Sequence, residues 1–423
     1  MATLVARAKT LGPSFDLLAN YRAGGFFFER AGLGVSTVGI AERIGVEGGP
    51  ERITTLAREV ETILREIRRD GEAVPAPIAV GAIPFDAGWP AHLVVPERSV
   101  VRRREGETRL LDVVAEGLAP FNPERERWTG RAVPHDAFED IHLRPDPEPD
   151  EYAAAVLEAT RRIRAGRLRK VVLARSIVVA ADRALDAKQL LWRLRAVDPD
   201  CWAFASPELA LDAGDLVPTG VLVGATPELL VRKEGLEVAA TPLAGSAPRF
   251  GDLQEDRASA ERLLASTKDR EEHALVVEDV AAVLAPLCED LRYPHEPELL
   301  GTANVWHLAT PFRGELTASV RSALDLVAAL HPTPAVCGTP RDTARAVLAE
   351  LEPLDRGCYA GPVGWVDADG DGEWAIALRC AEITGTTARV FAGAGIVADS
   401  DPSQELDETE RKFRALLDSL RWG

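Results

Sequence analysis

The stretch Arg169-Lys170-Val171-Val172-Leu173-Ala174-Arg175 opens a regular apolar segment that continues to Val179. This pattern predicts a β-strand that begins at Lys170 and holds that side chain in a fixed environment. On this stretch alone, a lysine that protects a strand edge from aggregation is the simpler interpretation. The composition favours a chemical role, because the chain has only six lysines beside 43 arginines. Lysine, unlike arginine, can be neutralised by burial and then serve as a base.

The composition excludes several classes of protein. The chain has 423 residues, 46% of them hydrophobic, and a formal net charge of −18. This length is sufficient for a large core. The acidity argues against binding to nucleic acid or to an anionic membrane surface. It still permits a small anionic substrate where local cations line a pocket.

The five cysteines are odd in number and form no C-x-x-C motif. We therefore expect reduced thiols in a cytoplasmic protein, where they fill the core. No run of 18 apolar residues occurs in the chain. We accordingly expect neither a signal peptide nor a membrane span.

Apolar spacing predicts helices and strands along the chain. Predicted helices cover residues 51–69, 150–165, 187–196, 254–266, 270–287, 318–330, 340–351 and 402–420. Predicted strands cover residues 24–29, 78–86, 171–179, 200–205, 219–224, 229–233, 236–241, 302–310, 361–366, 373–384 and 387–393. The many hairpin-type connections favour an α+β fold with large antiparallel sheets over a doubly wound parallel sheet.

A proline-rich acidic link at residues 145–150 precedes the helix that leads to Lys170. It is typical either of a boundary or of the start of a helix. We expect a single domain over residues 1–423, with a divergent N-terminal part over 1–145 and a core over 146–423.

Two predicted helices carry paired acidic residues. Asp269 and Glu272 lie three residues apart, and Glu405, Glu408 and Lys412 follow a similar spacing on the last helix. Carboxylates on separate helices can supply the oxygen ligands that Mg²⁺ prefers. On spacing alone, however, two solvated helix faces with local ion pairs explain the pattern more simply.

Two further charged residues lie beside apolar strands. Glu228, in Gly224-Ala225-Thr226-Pro227-Glu228, follows one predicted strand and precedes another, which makes it a candidate general acid. A turn residue is the commoner role for such a glutamate. Arg379 falls inside the predicted strand 373–384. A buried cation needs an anionic partner, either a structural glutamate or a substrate carboxylate.

Two other patterns resemble ligand-binding motifs. Residues 367–373 begin like a calcium loop, but Leu378 stands where the twelfth-position glutamate is required, so we predict a hairpin turn. Residues 393–398 match G-x-G-x-x-A, but no βαβ unit follows them. A dinucleotide site is therefore not expected there, although closely spaced glycines allow the backbone to approach a ligand.

A series of ordered motifs resembles the chorismate-utilising enzymes, the family of anthranilate synthase component I and salicylate synthase. The resemblance is strong over about residues 146–423. Its motifs are Lys170–Arg175, Gly224–Glu228, Pro242–Gly245, Lys268–His273, His307–Leu308, His331–Pro334, Tyr359–Pro362, Leu378–Arg379, Gly393–Gly395 and Glu405–Glu408. The resemblance implies large antiparallel sheets layered into a sandwich with helices on the outside.

Within this family the motifs resemble the isochorismate synthase branch. Lys170 matches the base of the water-using members, and Ala244 stands where the aminodeoxychorismate enzymes carry a nucleophilic lysine. The stretch His331–Gly338 also resembles this branch. The alternatives are salicylate synthesis, which adds pyruvate elimination, and the large subunit of anthranilate synthase. No amidotransferase subunit is expected.

The resemblance implies roles for individual residues. Glu272 and Glu408 would bind Mg²⁺ directly, and Asp269 and Glu405 would support them through water. The substrate, chorismate, would contact the residues Ala244, His307, Tyr359, Arg379, Gly395 and Lys412. Mg²⁺ would hold the ring carboxylate, and Arg379, Tyr359 and the backbone at Gly395 would hold the enolpyruvyl carboxylate.

The implied reaction isomerises chorismate to isochorismate. Neutral Lys170 would take a proton from the water that attacks C2, and protonated Glu228 would give one to the departing C4 hydroxyl. A lysine pKa near 7–8 instead of about 10.4 costs roughly 3–4 kcal/mol, which argues for a desolvated pocket. The product would enter menaquinone or siderophore biosynthesis, and we expect a monomer.

Overall fold

The computed structural model describes residues 3–12, 15–71, 73–103, 107–118, 140–212 and 215–421. These residues form three β-sheets, of 13, nine and three strands, with helices packed on them. The helices are α1 Leu17–Asn20, α2 Arg52–Glu66, α3 Pro149–Arg164, α4 Ala187–Val197, α5 Leu253–Ala265, α6 Thr267–Leu284, α7 Ala323–Leu330, α8 Arg341–Leu351 and α9 Pro402–Arg421.

The strands are distributed over the three sheets as follows. The 13-stranded sheet contains β1 Leu4–Leu11, β2 Phe27–Arg30, β3 Leu33–Val38, β5 Arg68–Arg69, β8 Arg98–Arg102, β9 Thr108–Ala115, β10 Ile141–Asp146, β11 Lys170–Ala181, β12 Trp202–Asp212, β13 Asp215–Thr226, β21 Gly338–Thr339, β24 Cys380–Thr384 and β25 Thr387–Ile396. The nine-stranded sheet contains β4 Glu42–Val46, β6 Ile78–Ala82, β7 Ala91–Val95, β14 Leu229–Glu234, β15 Glu237–Thr241, β17 Cys288–Arg292, β20 Phe312–Leu316, β22 Pro362–Asp367 and β23 Gly372–Ile376. The three-stranded sheet contains β16 Leu243–Pro248, β18 Glu298–Gly301 and β19 Val305–Ala309.

The large sheets are antiparallel, and within the described part of the chain only β1 and β5 pair in parallel. The N-terminal strands continue both sheets, since β2 pairs with β12 and β6 pairs with β22. Strand β10 spans the division predicted at residues 145 and 146.

The main core lies between the two large sheets. Phe28 and Phe204 enter it from the 13-stranded sheet, and Val80 and Trp374 enter it from the nine-stranded sheet. A second apolar cluster lies under α4 and α9, where Phe413 packs against the outer face of the 13-stranded sheet. Helices α2 and α7 cover the nine-stranded sheet. The predicted α+β sandwich with helices outside is therefore confirmed.

The chain crosses twice between the large sheets at the same place. It leaves β13 at Thr226 and enters β14 at Leu229, and it leaves β23 at Ile376 and enters β24 at Cys380. The two crossings lie side by side, because β13 pairs with β24 and β14 pairs with β23. Residues 227–228 and 377–379 therefore lie where the two sheets meet.

The second crossing corrects the prediction of a continuous strand over residues 373–384. Arg379 lies outside the strands, with φ of 46°, a left-handed conformation that non-glycine residues seldom adopt. The apolar run is continuous because both β23 and β24 are buried. Periodicity alone could not show that they belong to different sheets.

Other predicted elements have different bounds in the structure. The strand predicted over residues 302–310 is β19, which begins only at Val305 and forms a hairpin with β18. The helix predicted from residue 318 begins at Ala323, because Ser322 caps it and accepts a hydrogen bond from the Leu324 N–H. The strand predicted to end at residue 393 continues to Ile396 as β25, so Gly395 also lies inside it.

The last helix, α9, begins as its sequence predicts. The Asp401 carboxylate accepts hydrogen bonds from the Ser403 and Gln404 N–H groups at 3.0 and 3.2 Å. This cap satisfies backbone donors that a helix start leaves free.

All five cysteines are free thiols. None of the helices in the described ranges combines the length and the apolar character needed to cross a lipid bilayer.

Candidate active site

A cavity opens beside the two sheet crossings. It contains about 760 Å³ of empty space, part of it open to solvent. Nine residues that the sequence singled out line it: Glu228, Ala244, Glu272, His307, Tyr359, Arg379, Gly395, Glu408 and Lys412. Three others do not line it. Lys170 contacts the lining residue Glu272, and Asp269 lies beside the lining residue Gly245, where a Cβ would be 3.1 Å from the Asp269 Cβ. Glu405 precedes the lining residue Glu408 by about one turn of α9.

Lys170 is buried at the start of β11, with 1% of its surface exposed. Its Nζ lies 2.9 Å from Oε1 of Glu272 on α6. Strand β25 leaves room for this pair through Gly395, where a Cβ would lie 2.0 Å from Oε1 of Glu272. Lys170 is therefore not a solvent-exposed lysine at a strand edge.

Glu228 is also buried, with 3% of its surface exposed. Burial raises its pKa to about 8, although the Lys170 charge, a hydrogen bond from the Leu243 backbone and the Lys412 charge oppose the increase. At neutral pH the carboxyl is therefore mostly protonated. A protonated carboxyl at a cavity wall can donate a proton to a bound molecule.

Three carboxylates at one end of the cavity are each paired with a lysine. Besides the Lys170–Glu272 pair, Nζ of Lys268 lies 2.6 Å from Oε1 of Glu405, and Nζ of Lys412 lies 2.7 Å from Oε1 of Glu408. These are three of the six lysines in the chain. We call the four carboxylates Asp269, Glu272, Glu405 and Glu408 the site cluster.

The carboxyl groups of the site cluster perturb one another. Burial and the negative charge of Glu408 raise the pKa of Glu405 to about 7, against the opposing effect of Lys268. Burial also acts to raise the pKa of Glu408, but Lys412, Ser246 and Lys268 outweigh it and lower that pKa. Asp269 is held by a hydrogen bond from the Ser266 hydroxyl, and burial raises its pKa.

The site cluster fits a hard divalent cation by its chemistry, since it offers several carboxylates from α6 and α9. No three His, Cys, Asp or Glu side chains converge into a complete metal site within the described ranges. An ion such as Mg²⁺ takes few protein ligands and completes its shell with water or substrate oxygen.

Another part of the cavity wall, which we call the basic end, is formed by Arg379 and His307. Nη2 of the half-buried Arg379 lies 2.6 Å from Nε2 of His307. Burial, together with the charges of Arg379 and Lys412, holds the pKa of His307 well below its usual value, so the ring is neutral. Nε2 then accepts from Arg379. Arg379 forms no ion pair with a described carboxylate, and its charge can therefore bind an anion.

Comparisons with known proteins agree with this geometry. The family model of chorismate-binding enzymes matches residues 3–421. This chain belongs to that family. Isochorismate synthase DhbC of Bacillus subtilis (strain 168) is 39% identical over 405 residues, which cover 96% of this chain and 95% of that protein. Isochorismate synthase EntC of Escherichia coli (strain K12) is 39% identical over 355 residues, which cover 82% of each chain.

The solved structure of DhbC from Bacillus anthracis aligns with this chorismate-binding enzyme with a TM-score of 0.80 and 36% identity. The alignment covers 96% of this chain and 98% of that chain. The family predicted from the ordered motifs is therefore confirmed.

Aromatic and small residues complete the wall of the cavity in this chorismate-binding enzyme. The Tyr359 ring stacks on Phe391 with centroids 5.0 Å apart. A Cβ at Gly393 would lie 3.0 Å from the Tyr359 hydroxyl, so the glycine keeps this approach open. Ala244 places only a methyl group at the wall, and its carbonyl oxygen lies 3.2 Å from Nδ1 of His273.

Sequence reasoning missed two residues at the cavity of this chorismate-binding enzyme. Ser246 hydrogen-bonds to Glu408, and its position beside the Pro242–Gly245 motif is the signal that could have found it. Arg356 also lines the cavity. Its four-residue spacing from Glu352 could have indicated an ion pair.

Proposed function

We propose that this chain is an isochorismate synthase, which isomerises chorismate to isochorismate in a Mg²⁺-dependent reaction. The observation that carries the proposal is the placement of Lys170 and Glu228. Glu228, a buried carboxyl with a pKa of about 8, lines the cavity. The buried amine of Lys170 lies behind the cavity wall, 2.9 Å from Oε1 of the lining residue Glu272. Relatives named isochorismate synthases match most of the chain and support the same reaction.

Lys170 would act as the base. It takes a proton from water while the water oxygen forms a bond to C2 of chorismate. The amine must be neutral for this step. Its Nζ lies 2.9 Å from Oε1 of Glu272, so the reactive state requires Glu272 to be engaged elsewhere.

Glu228 would act as the acid. As the double bonds shift, the C4–O bond breaks and Glu228 donates its proton to the departing hydroxyl, which leaves as water. A proton then returns from Lys170 to Glu228, and the enzyme is restored. One water enters and one leaves, so the reaction has no net redox change and needs no other reactant.

The remaining residues would bind and orient the substrate. Mg²⁺ held by Glu272 and Glu408, with Asp269 and Glu405 in support, would supply positive charge for the ring carboxylate. Lys412 lies on the same side of the cavity and would add to that charge.

At the basic end, Arg379 would bind the enolpyruvyl carboxylate. His307 holds the guanidinium in place. Tyr359 would complete this subsite. Gly395 lies beside Glu272, so its backbone would face the substrate near the site cluster. Ala244 leaves the cavity wall without a nucleophilic amine.

Product analysis tests the proposal. Purified protein with chorismate and Mg²⁺, without ammonia, should give isochorismate by chromatography and NMR. Salicylate with released pyruvate would instead indicate a salicylate synthase. Anthranilate that forms only when ammonia is added would indicate an anthranilate synthase subunit. Chorismate recovered unchanged would refute the proposed activity.

A further inference from the structure

The ion pair between Arg356 and Glu352 lies in the wall of the cavity and is not part of the proposed chemistry. Each side chain has 4% of its surface exposed. Nε and Nη2 of Arg356 donate to the two Glu352 oxygens at 2.5 and 2.8 Å. Arg356 faces the cavity on one side. On its other side a separate cleft is lined by Phe85, Leu348 and Asp355.

The pair is bonded to β11 at two successive points. Nη2 of Arg356 donates to the Val172 carbonyl at 2.7 Å. The Ala174 N–H donates to Oε2 of Glu352 at 2.8 Å. Val172 is two residues from Lys170 and points to the same face of the strand. These bonds therefore add to the strand pairing that holds Lys170 in position.

The same arginine also bonds to two further segments of the cavity wall. Nη1 donates to the Val336 carbonyl at 2.8 Å, and Val336 lines the cavity. The Tyr359 N–H donates to the Arg356 carbonyl at 2.8 Å. The guanidinium carbon lies 4.3 Å from the Phe85 ring centroid and 6.0 Å from that of Tyr359. One side chain thus ties together β11, the segment before β21 and the turn that carries Tyr359.

Stability alone is a poor reason for such a pair. Burying two charges costs several kcal/mol per ion, and apolar replacements are often as stable. A lysine could balance the charge of Glu352, but it could not reach Val172, Val336 and both carboxylate oxygens together, because only a guanidinium has donors in a fixed fork.

We propose that Arg356, held by Glu352, is a positioning residue that sets the distance between Lys170 and the substrate wall formed by Val336 and Tyr359. This inference rests on the proposed isochorismate synthase activity. A misplacement of about 1 Å can lower a rate by about a hundredfold.

Arg356→Lys tests the inference, with Arg98→Lys as the matched control. Arg98 and Asp112 also form a buried ion pair, with side-chain exposures of 7% and 8% and a contact of 2.8 Å, but neither lines the cavity. We expect Arg356→Lys to lower kcat by about a hundredfold with a correctly folded protein. Arg98→Lys should lower the Tm and leave both kcat and KM unchanged.

Glu352→Gln is the second variant, because it keeps the acceptor for Ala174 and the shape of the side chain. It should lower kcat less than Arg356→Lys and still more than Arg98→Lys. Equal kcat values for the Arg356 and Arg98 variants, at similar Tm, would overturn the inference. If Arg356→Lys fails to fold, a Glu352→Gln variant with the wild-type kcat would likewise overturn the inference.

A wild-type protein without isochorismate turnover would overturn the proposed function and not this inference. In that case calorimetric titration with chorismate decides it. Weaker binding of chorismate to Arg356→Lys than to Arg98→Lys would support the inference that Arg356 positions Tyr359 in the cavity wall. Equal affinities would refute it.

Discussion

Two acidic clusters in this chain resemble cation sites in the sequence, and they differ in what their carboxylates contact. The site cluster comprises Asp269, Glu272, Glu405 and Glu408, and the turn cluster comprises Asp367, Asp369 and Asp371. In the site cluster, lysines are the main partners and two of the carboxylates line a cavity. In the turn cluster, Arg103, Arg69 and Lys233 neutralise the three carboxylates in order.

Hydrogen bonds from backbone N–H groups to the turn cluster add to this difference. Oδ1 of Asp367 accepts from the N–H groups of Asp369 and Asp371 at 3.0 and 2.9 Å. Asp371 accepts from the Gly235 N–H at 2.8 Å. These carboxylates close the β22–β23 hairpin, as the sequence predicted, and their oxygens are occupied by fixed donors. An acidic cluster becomes a candidate site when its partners are flexible amines and its oxygens face a cavity.

The largest effect on activity is expected from the substitution Lys170→Arg. Lys170→Arg keeps the charge and the pairing with Glu272, but arginine cannot become a neutral base. We expect isochorismate formation to fall by about a thousandfold, within the range for loss of a general base. Steady-state assays and circular dichroism check this. Turnover near the wild-type rate would remove Lys170 from the chemistry.

Glu272→Gln tests the site cluster itself. Loss of one charged contact is worth about 1.5–3 kcal/mol, so the Mg²⁺ concentration for half-maximal activity should rise tenfold to a hundredfold, roughly. A Mg²⁺ titration of activity checks this, with calorimetry of Mg²⁺ binding as an independent measurement. An unchanged titration would show that Glu272 is not a ligand.

The pH profile tests Glu228, which pairs with no lysine among the described residues. The acid form is present below its pKa of about 8 and is lost as the pH rises through that value. We therefore expect kcat/KM to fall about tenfold per pH unit above the pKa. Glu228→Gln should be slow and lack this alkaline limb. An identical limb in both proteins would assign it to another group.

The smallest effect is expected from Asp369→Asn in the turn cluster. Asp369 pairs with Arg69, and both side chains are exposed, at 60% and 37%. Such a pair contributes about 0–1 kcal/mol, so the Tm should change little and the Mg²⁺ titration not at all. A shifted Mg²⁺ requirement would mean that the turn cluster also binds the cation.

Local patterns in the sequence predicted much of the site. The strand at Lys170, the strand junction at Glu228 and the capped helix that carries Glu408 each depend on neighbouring residues. The family motifs then indicated which of them belong together.

Contacts between distant segments could not be predicted in the same way. Arg379 was assigned to a strand because the exchange of sheets leaves no mark in the apolar pattern. Arg356 was missed because its partners Val172 and Val336 are backbone carbonyls, which any residue could supply. The pairing of Lys268 with Glu405 joins residues 137 positions apart.

The two adjacent crossings at residues 227–228 and 377–379 have a mechanical consequence. Glu228 and Arg379 each lie in a short connecting segment whose two ends belong to strands of different sheets. Any sliding of one layer over the other would therefore change the spacing of the acid and the guanidinium. A molecule that contacts both would resist such shear, so its binding should make the two layers melt together in a sharper transition.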